Sequence, residues 1–370
     1  MHIAYVCTDP GIEVFGHKGA SVHVQEMLAA FLARGDAVTL ISPRIGPVPP
    51  RFAALRLMPL PPLPRGTEAE VRAQAQAALN DLVTEALRAA PFDLVYERHA
   101  LHAHAAMEEA RRQGIPGVLE VNAPLIEETQ RHRSLALADH AASSAARAMR
   151  AARLVSAVSP AVAESARALG ATRIEVIANA VDPARFPEVS RPQDRLTVGF
   201  LGTLRPWHDV ATLVRAMDPL RRAHPTARLL IVGDGPERAR LAPELARLGA
   251  ECSGAVAPGE VPQWLARMDI AVAPYAGDQP FYFSPLKIYE YMASGLPVVA
   301  SDVGNLAQVV RHGETGLICP PDDPAALASA LARLAGDRAA ARRMGAAGRA
   351  EALRDHTWAG VAARVLAEAA

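Results

Sequence analysis

Phe283-Ser284-Pro285-Leu286-Lys287-Ile288-Tyr289-Glu290-Tyr291-Met292-Ala293-Ser294-Gly295-Leu296-Pro297-Val298-Val299 joins a loop rich in aromatics to a helix and then to a strand. Apolar spacing starts the helix near Leu286, and Gly295 ends it. A fully apolar strand pattern follows at once. Helix-length crossovers between such strands imply a parallel sheet covered on both faces. The same alternation runs outward in both directions. In the first half, strands are expected at His2–Cys7, Ala37–Ser42, Asp93–Glu97, Gly117–Val121, Leu154–Val158 and Ile174–Ile177. Helices are expected at Val22–Ala33, Glu68–Ala90, Leu101–Gln113 and Arg131–Ala152, with a Pro-rich loop containing one short extended piece over Ile45–Pro64. In the second half, strands are expected at Leu196–Gly202, Arg228–Gly233, Asp269–Ala273, Pro297–Ser301 and Leu317–Cys319, before a helical end over Asp323–Ala370. Asp209 and Asp323 read as caps, Asn305 with Gln308 as a capping box, and Pro236 as a first-turn proline. The fold class is therefore α/β, with two doubly wound Rossmann-like parallel-sheet domains facing across a cleft, and the ligand beyond the strand C-termini.

Composition narrows the function. The 370 residues are 50% hydrophobic and 21% charged, which excludes a disordered chain. Lys+Arg and Asp+Glu are both 39, so bulk charge does not recruit this chain to nucleic acid. No apolar run approaches the roughly 20 residues of a membrane span. Met1–Cys7 runs straight into a strand pattern, so no secretory signal is expected. Cys7, Cys252 and Cys319 form no Cys-x-x-Cys pair and read as buried thiols in a reducing cytosol. Lysine occurs only at 18 and 287 in an Arg-dominated basic set, and a Lys is a compact point charge where Arg is a wide fork.

The helix starting near Leu286 offers free amides and a positive dipole end to a phosphate. Lys287 in its first turn opposes that dipole, which an anion would relieve. Glu290, about one turn on, suits a ribose diol; an ordinary surface Lys–Glu pair is the plainer alternative. In Gly199–Asp209, Arg205 and His208 stand between a strand and a helix and could donate to a diphosphate, unless Trp207 packs there and Arg205 is solvated. Gly233-Asp234-Gly235-Pro236 is a further strand-to-helix turn. In the first half, Gly16-His17-Lys18-Gly19-Ala20-Ser21 joins strand to helix without a Gly-x-Gly-x-x-Gly pattern, against a dinucleotide-binding dehydrogenase. Glu97-Arg98-His99 and Glu120-Val121-Asn122 follow strands and should face the cleft. His99, His102 and His104 read as surface histidines before they read as a metal site. No Gly-x-Ser-x-Gly elbow or Walker loop is present. A basic helix over Arg131–Arg153 could touch anionic lipid, although a solvated face explains it too.

With these residues in hand, the chain resembles glycosyltransferase family 4, retaining enzymes of the GT-B fold. Ser284–Val299 looks like the family's donor-site helix, in a version with Ser-Pro-Leu-Lys. Gly19-Ala20, Val176–Asp182, Gly233–Pro236 and Gly313–Ile318 add to the likeness. The resemblance implies an acceptor-binding domain over 1–186, a linker over 187–195, a nucleotide-sugar domain over 196–355, and a helix over 356–370 that crosses back. It implies that Lys287, Arg205 and Glu290 act catalytically. Gly19, Lys18, His208, Gly233, Gly235, Asp278, Phe283, Ser284, Pro285 and Leu286 would hold the donor. Glu97, Arg98, His99, Glu120 and Asn122 would line the acceptor side. Tyr282 stands where the family's first Glu falls, so Asp278 is expected to contact the sugar. Thr203 and His208 replace the usual Arg and Lys, and Arg205 and Lys287 take over their charge. Asn122 stands where many members carry His.

The expected activity is metal-independent transfer, with retention, of a sugar from a nucleotide-diphosphate sugar to a glycan, lipid-linked sugar or small molecule. The donor is a substrate and no cofactor is expected. No nucleic-acid partner is expected, and the location is the cytoplasm, with peripheral contact at the inner membrane surface. A nucleotide-sugar 2-epimerase and a non-catalytic nucleotide-sugar-binding partner are the alternatives.

Overall fold

The computed structural model describes residues 1–64, 66, 68–187 and 196–370. The expected linker 187–195 lies, apart from Pro187, outside the described residues. The chain divides into two compact units. The first comprises Met1–Asn179, Tyr282–Ser284 and Trp358–Ala370, and the second Ala180–Phe281 and Pro285–Thr357. The first unit thus ends earlier than the 1–186 expected, because Val181 bridges Thr357 and donates to the His356 carbonyl within the second.

The first unit's strands are β1 (His2–Cys7), β2 (Ala37–Ser42), β3 (Arg56–Pro59), β4 (Leu94–Arg98), β5 (Gly117–Val121), β6 (Leu154–Ala157) and β7 (Ile174–Val176). They form one parallel sheet in the order β3-β2-β1-β4-β5-β6-β7. Its helices begin with α1 (Gly19–Ala33), α2 (Ala69–Arg88), α3 (Ala105–Gln113), α4 (Leu125–His132), α5 (Ala138–Ala151) and α6 (Pro160–Ala168). Alternate residues of the central strands separate the faces. Ala4, Val6, Val95, Leu119, Val121 and Val155 share a core with Leu79, Val83, Met107, Ala148 and Val162 of α2, α3, α5 and α6.

Two helix expectations are corrected. Arg131–Ala152 is not one helix: Arg133 is extended and Leu137 takes φ 48°, which separates α4 from α5. The sequence carries no Gly or Pro at that break. The third helix starts at Ala105 and not at Leu101, because the Asn80 side chain on α2 accepts from the amides of His104 (2.9 Å) and Ala105 (3.0 Å). That cap comes from a distant segment, out of reach of local sequence rules.

The second unit's strands are β8 (Thr197–Leu201), β9 (Arg228–Val232), β10 (Glu251–Cys252), β11 (Ile270–Ala273), β12 (Val298–Ser301) and β13 (Gly316–Cys319), ordered β10-β9-β8-β11-β12-β13 and parallel throughout. Its helices are α7 (Val210–Ala223), α8 (Arg238–Arg247), α9 (Val261–Leu265), α10 (Leu286–Ala293), α11 (Leu306–Val309), α12 (Pro324–Gly336) and α13 (Arg338–Asp355). The caps divide. Asp209 accepts from Thr212 N (3.2 Å), and Asp323 from Ala325 and Ala326 N (both 2.9 Å). Asn305 makes no side-chain cap, so the expected capping box is absent. Pro236 precedes α8 and lies outside its first turn. The last helix, α14 (Trp358–Ala369), belongs to the first unit, where the Trp358 ring lies 4.8 Å from the His23 ring of α1.

Both sheets are doubly wound, and their strand order reverses direction between β1 and β4 and between β8 and β11. Such switch points are where sheets of this kind take ligands.

Candidate functional site

At the β8/β11 switch point of the second unit, α10 is anchored by Tyr291. Its hydroxyl accepts from Leu201 N (2.7 Å) and donates to the Val272 carbonyl (3.3 Å), so one side chain ties both central strands to the helix. Gly345 of α13 lies so close to Gly295 that a Cβ there would meet the Gly295 carbonyl at 2.2 Å. Arg349 of α13 donates to the Ala293 carbonyl and to that of Phe186. The N-terminus of α10 follows Pro285, which makes no side-chain cap, and within the first turn Ile288 N donates to the Pro285 carbonyl (3.2 Å).

Lys287 projects from that first turn and is only 8% exposed. Its Nζ lies 4.5 Å from the centre of the Phe200 ring and 5.2 Å from that of Tyr275, and it has no hydrogen-bond partner. Gly202, at φ 141°, makes room for it: a Cβ there would lie 3.0 Å from Nζ. Burial pushes the Lys287 amine down to about 7, against a smaller upward pull from Glu290. An unpaired buried amine at a helix N-terminus is an arrangement suited to an anion. His208 Nδ1 lies 2.5 Å from the Thr203 carbonyl, so that nitrogen carries the proton and Nε2 presents a lone pair. Burial, helped by Lys287 and Arg205, lowers His208 to about 3. His208 is therefore neutral. Arg205 is exposed, with its guanidinium 5.5 Å from the centre of the Trp207 ring.

The remaining donor-side residues scatter. Gly233 and Gly235 serve backbone packing: added Cβ atoms would meet Gly202 O at 2.1 Å and Leu204 O at 2.5 Å. These glycines hold the loop that carries Gly202 against Lys287. Glu290 is half-buried beside Lys287 on α10, Leu286 and Pro285 flank the helix start, and Asp278 is exposed on the loop after β11. Phe283 and Ser284 belong to the first unit with Tyr282. There Ser159 donates to the Tyr282 carbonyl (2.8 Å), Ser284 Oγ accepts from Asn179 N (2.8 Å), and Asn179 Nδ2 donates to the Ser284 carbonyl (2.5 Å). The Ser284 side chain is committed to the fold. Tyr282, at the position of the family's first Glu, is buried in that core. Lys18 is exposed at the N-cap of α1, and Gly19 opens that helix.

Of the first unit's candidates, Glu97, Arg98 and Glu120 lie within strands while His99 and Asn122 directly follow β4 and β5, and strand alternation splits them by face. Arg98 and Glu120 sit on the α1 side, buried and paired at 2.7 Å. Glu120 also holds His23 at 2.9 Å, accepts from the Tyr96 hydroxyl at 2.5 Å and accepts from Asn122. Burial would raise its pKa, but His23 and Arg98 outweigh burial and hold it well below the usual carboxylate range. Glu97 and His99 face the opposite, apolar side. Glu97 is 1% exposed with Oε2 unpartnered, and burial pushes it up to about 8. His99 has neither ring nitrogen partnered, and burial lowers it to about 4. Thr8, after β1, is buried with its hydroxyl also unpartnered. The expectation of surface histidines fails at His99 and at His102, which is buried with Nδ1 3.0 Å from His140 Nδ1. Among the described residues no group of three or more His, Cys, Asp or Glu could hold a metal ion. Also among the described residues, no helix is long and apolar enough to cross a membrane. Arg147 of the basic stretch is paired with Glu108 at 2.7 Å. Tyr291, Gly202 and Thr8 were not singled out by sequence; the rarity of lysine was the signal that did find Lys287.

Comparison with known proteins adds the following. Residues 17–185 match the family described as Glycosyltransferase Family 4, and residues 195–337 the one described as Glycosyl transferases group 1. Glycogen synthase of Mycobacterium tuberculosis is 34% identical over 202 residues, 52% of this chain and 47% of that protein. Phosphatidyl-myo-inositol mannosyltransferase of the same species is 33% identical over 210 residues, 54% of each chain. The chain thus spans about half the length of these relatives. Among solved structures, sucrose-phosphate synthase from Thermosynechococcus elongatus aligns over 99% of this chain and 97% of its own, at TM-score 0.75 and 22% identity. Anabaena HepE in complex with UDP aligns over 99% of both chains at TM-score 0.71 and 19% identity. The fold is the one these GT-B glycosyltransferases share.

Proposed function

We propose that this chain, which carries a glycosyltransferase family 4 domain followed by a glycosyl transferases group 1 domain, is a retaining, metal-independent glycosyltransferase with a nucleotide-diphosphate sugar as donor. The observation that carries the reading is Lys287: a nine-tenths-buried amine with no hydrogen-bond partner, at the β8/β11 switch point and beside the uncapped start of α10. The UDP in the HepE complex agrees with a nucleotide donor. The diphosphate would rest against Lys287, the α10 amides and Arg205, and the ribose diol against Glu290. Asp278 is the residue proposed to contact the sugar, and Lys18 and Gly19 of the first unit are proposed to close on the phosphates.

The C1–O bond to the diphosphate breaks with its electron pair leaving on a phosphate oxygen. The acceptor hydroxyl bonds to C1 on the face the diphosphate leaves, and its proton passes to that oxygen. Fixed cations and amides stabilise the departing charge, the part a divalent metal plays elsewhere. On the first unit, Glu97, His99 and Asn122 are proposed to contact the acceptor; Arg98 and Glu120 act through the network that holds the strand ends. A glycan or lipid-linked acceptor agrees with the glycogen synthase and mannosyltransferase relatives, and the lipid case with peripheral membrane contact. The Ser-Pro-Leu-Lys helix would mark a subgroup in which Lys287 takes the place of the family's usual cations.

The test is donor turnover with EDTA present. UDP-glucose, GDP-mannose, ADP-glucose and dTDP-glucose are incubated singly with the protein, and free nucleoside diphosphate and sugar anomer are followed by NMR. Release from one donor, undiminished by EDTA and giving the α-sugar first from an α-donor, is expected. Conversion of the donor to its 2-epimer moves the assignment to the epimerase. Binding without turnover moves it to the non-catalytic partner.

A further inference from the structure

The surroundings of Lys287 carry an inference that rests on the donor reading. The titratable groups that bear on its amine are Glu290 on α10, His208 after β8 and Tyr275 after β11, with Tyr291 beside Glu290 and Tyr275 and with Arg205 acting on His208. Burial raises both tyrosines, so they are neutral. His208 is neutral, and Arg205 is a like charge. Phe200 and Tyr275 offer ring faces, which favour a cation but supply no countercharge. Among the described residues no carboxylate forms an ion pair with Nζ. A charged amine in this box is desolvated and short of an anion, whereas phosphate oxygens within reach would favour its charged form.

We propose that the second unit binds a nucleoside diphosphate together with a proton, taken up from solvent by the Lys287 amine as the phosphate oxygens reach it. The proton adds to the nitrogen lone pair and returns to solvent when the diphosphate leaves. The site is then cationic only while it is filled, and bare inorganic anions that reach it pay no less than the diphosphate does for the same protonation. His208 is the neighbouring lone pair that could take the proton instead. Its Nδ1–H is already given to Thr203, and protonating Nε2 would place a second cation beside Arg205 and Lys287.

The test is titration calorimetry of UDP, GDP, ADP and dTDP at about pH 8, in HEPES and in Tris. Near that pH the terminal phosphate of the nucleotide is already ionised, its last pKa being roughly 6. The dependence of binding heat on buffer ionisation heat gives the protons taken up. For the nucleotide that binds, wild type is expected to take up about 0.9 proton at about pH 8. Lys287→Arg, whose charge is permanent, is expected to take up about none. Lys287→Met loses the uptake as well, which covers the case in which Arg distorts the box. His208→Gln keeps it. Binding with no uptake in wild type overturns the proposal and leaves the donor reading standing. Uptake that persists in both Lys287 variants, or vanishes in His208→Gln, also overturns it. Failure of all four nucleotides to bind, by heat and by melting, overturns the donor reading itself.

Discussion

The two switch points solve the same electrostatic problem in opposite ways. Next to β1/β4, the buried acid Glu120 of β5 is surrounded by Arg98, His23, Tyr96 and Asn122, and its charge is satisfied within the protein. At β8/β11 the buried base Lys287 has ring faces and no hydrogen-bond partner. A paired buried charge rigidifies its surroundings and leaves little for a ligand to gain. An unpaired one holds its partnership open. The contrast teaches that burial and charge alone do not mark a binding site; the missing partner does. Glu97, unpaired on the other face of the first sheet, belongs with Lys287 in this respect and not with its neighbour in sequence, Arg98.

The sharpest way to break the contrast is Lys287→Met. Turnover is expected to fall roughly 100-fold, the scale of removing one fixed group that stabilises departing charge. The fold should survive, and the variant should gain stability. The folded Lys287 pKa is lowered to about 7 from an ordinary value near 10.5, so wild type carries the full penalty below about 7 and sheds it as pH rises. The gain of Lys287→Met in urea unfolding should be largest near pH 7 and close towards pH 10. An equal fall in stability at both pH values would contradict this.

Breaking the paired side should act on stability first. Glu120→Gln leaves Arg98 buried without its carboxylate and is expected to cost about 3 kcal/mol. Because the folded Glu120 pKa lies below its unfolded value, the loss relative to wild type should be present at neutral pH and shrink as pH falls through the acid range. Gly233→Ala, which puts a Cβ against the Gly202 carbonyl, is expected to cost about 2 kcal/mol by overpacking and to weaken nucleotide binding through the displaced loop. Glu97→Gln runs the other way. Its folded pKa is raised to about 8, so wild-type stability is full below about 4.5 and lost as pH rises to about 8. The variant should melt higher than wild type at pH 8 and no higher at pH 4. The smallest effect is Asp209→Ala, which removes a cap and should cost about 1 kcal/mol, read by thermal unfolding.

The parallel sheets and most helix spans were legible because apolar period and caps act locally: Asp209 and Asp323 cap the helices that their neighbours in sequence begin. Lys287 was legible through scarcity and through its place in a first turn. What stayed hidden was made by contacts distant in sequence. Asn80 caps α3 from another helix, Tyr291 ties two strands to α10, and Tyr282–Ser284 joins the first unit although its neighbours belong to the second. Residues 97 and 98 look alike as polar strand residues, and only the register β1–β4–β5 assigns them to an apolar and a paired face. The close approach of the Gly202 and Leu204 backbone to Gly233 and Gly235 is likewise set by segments apart in sequence.

The central claim is that the unpaired Lys287 awaits a diphosphate, and melting with UDP, GDP, ADP and dTDP in EDTA tests it most directly. A ligand at ten times its dissociation constant adds about 1.4 kcal/mol, a shift of about 3–6 °C for a unit of this size. The account predicts that one of the four shifts wild type by that amount and shifts Lys287→Met by less. No shift from any of them, or the same shift in wild type and Lys287→Met, would contradict it.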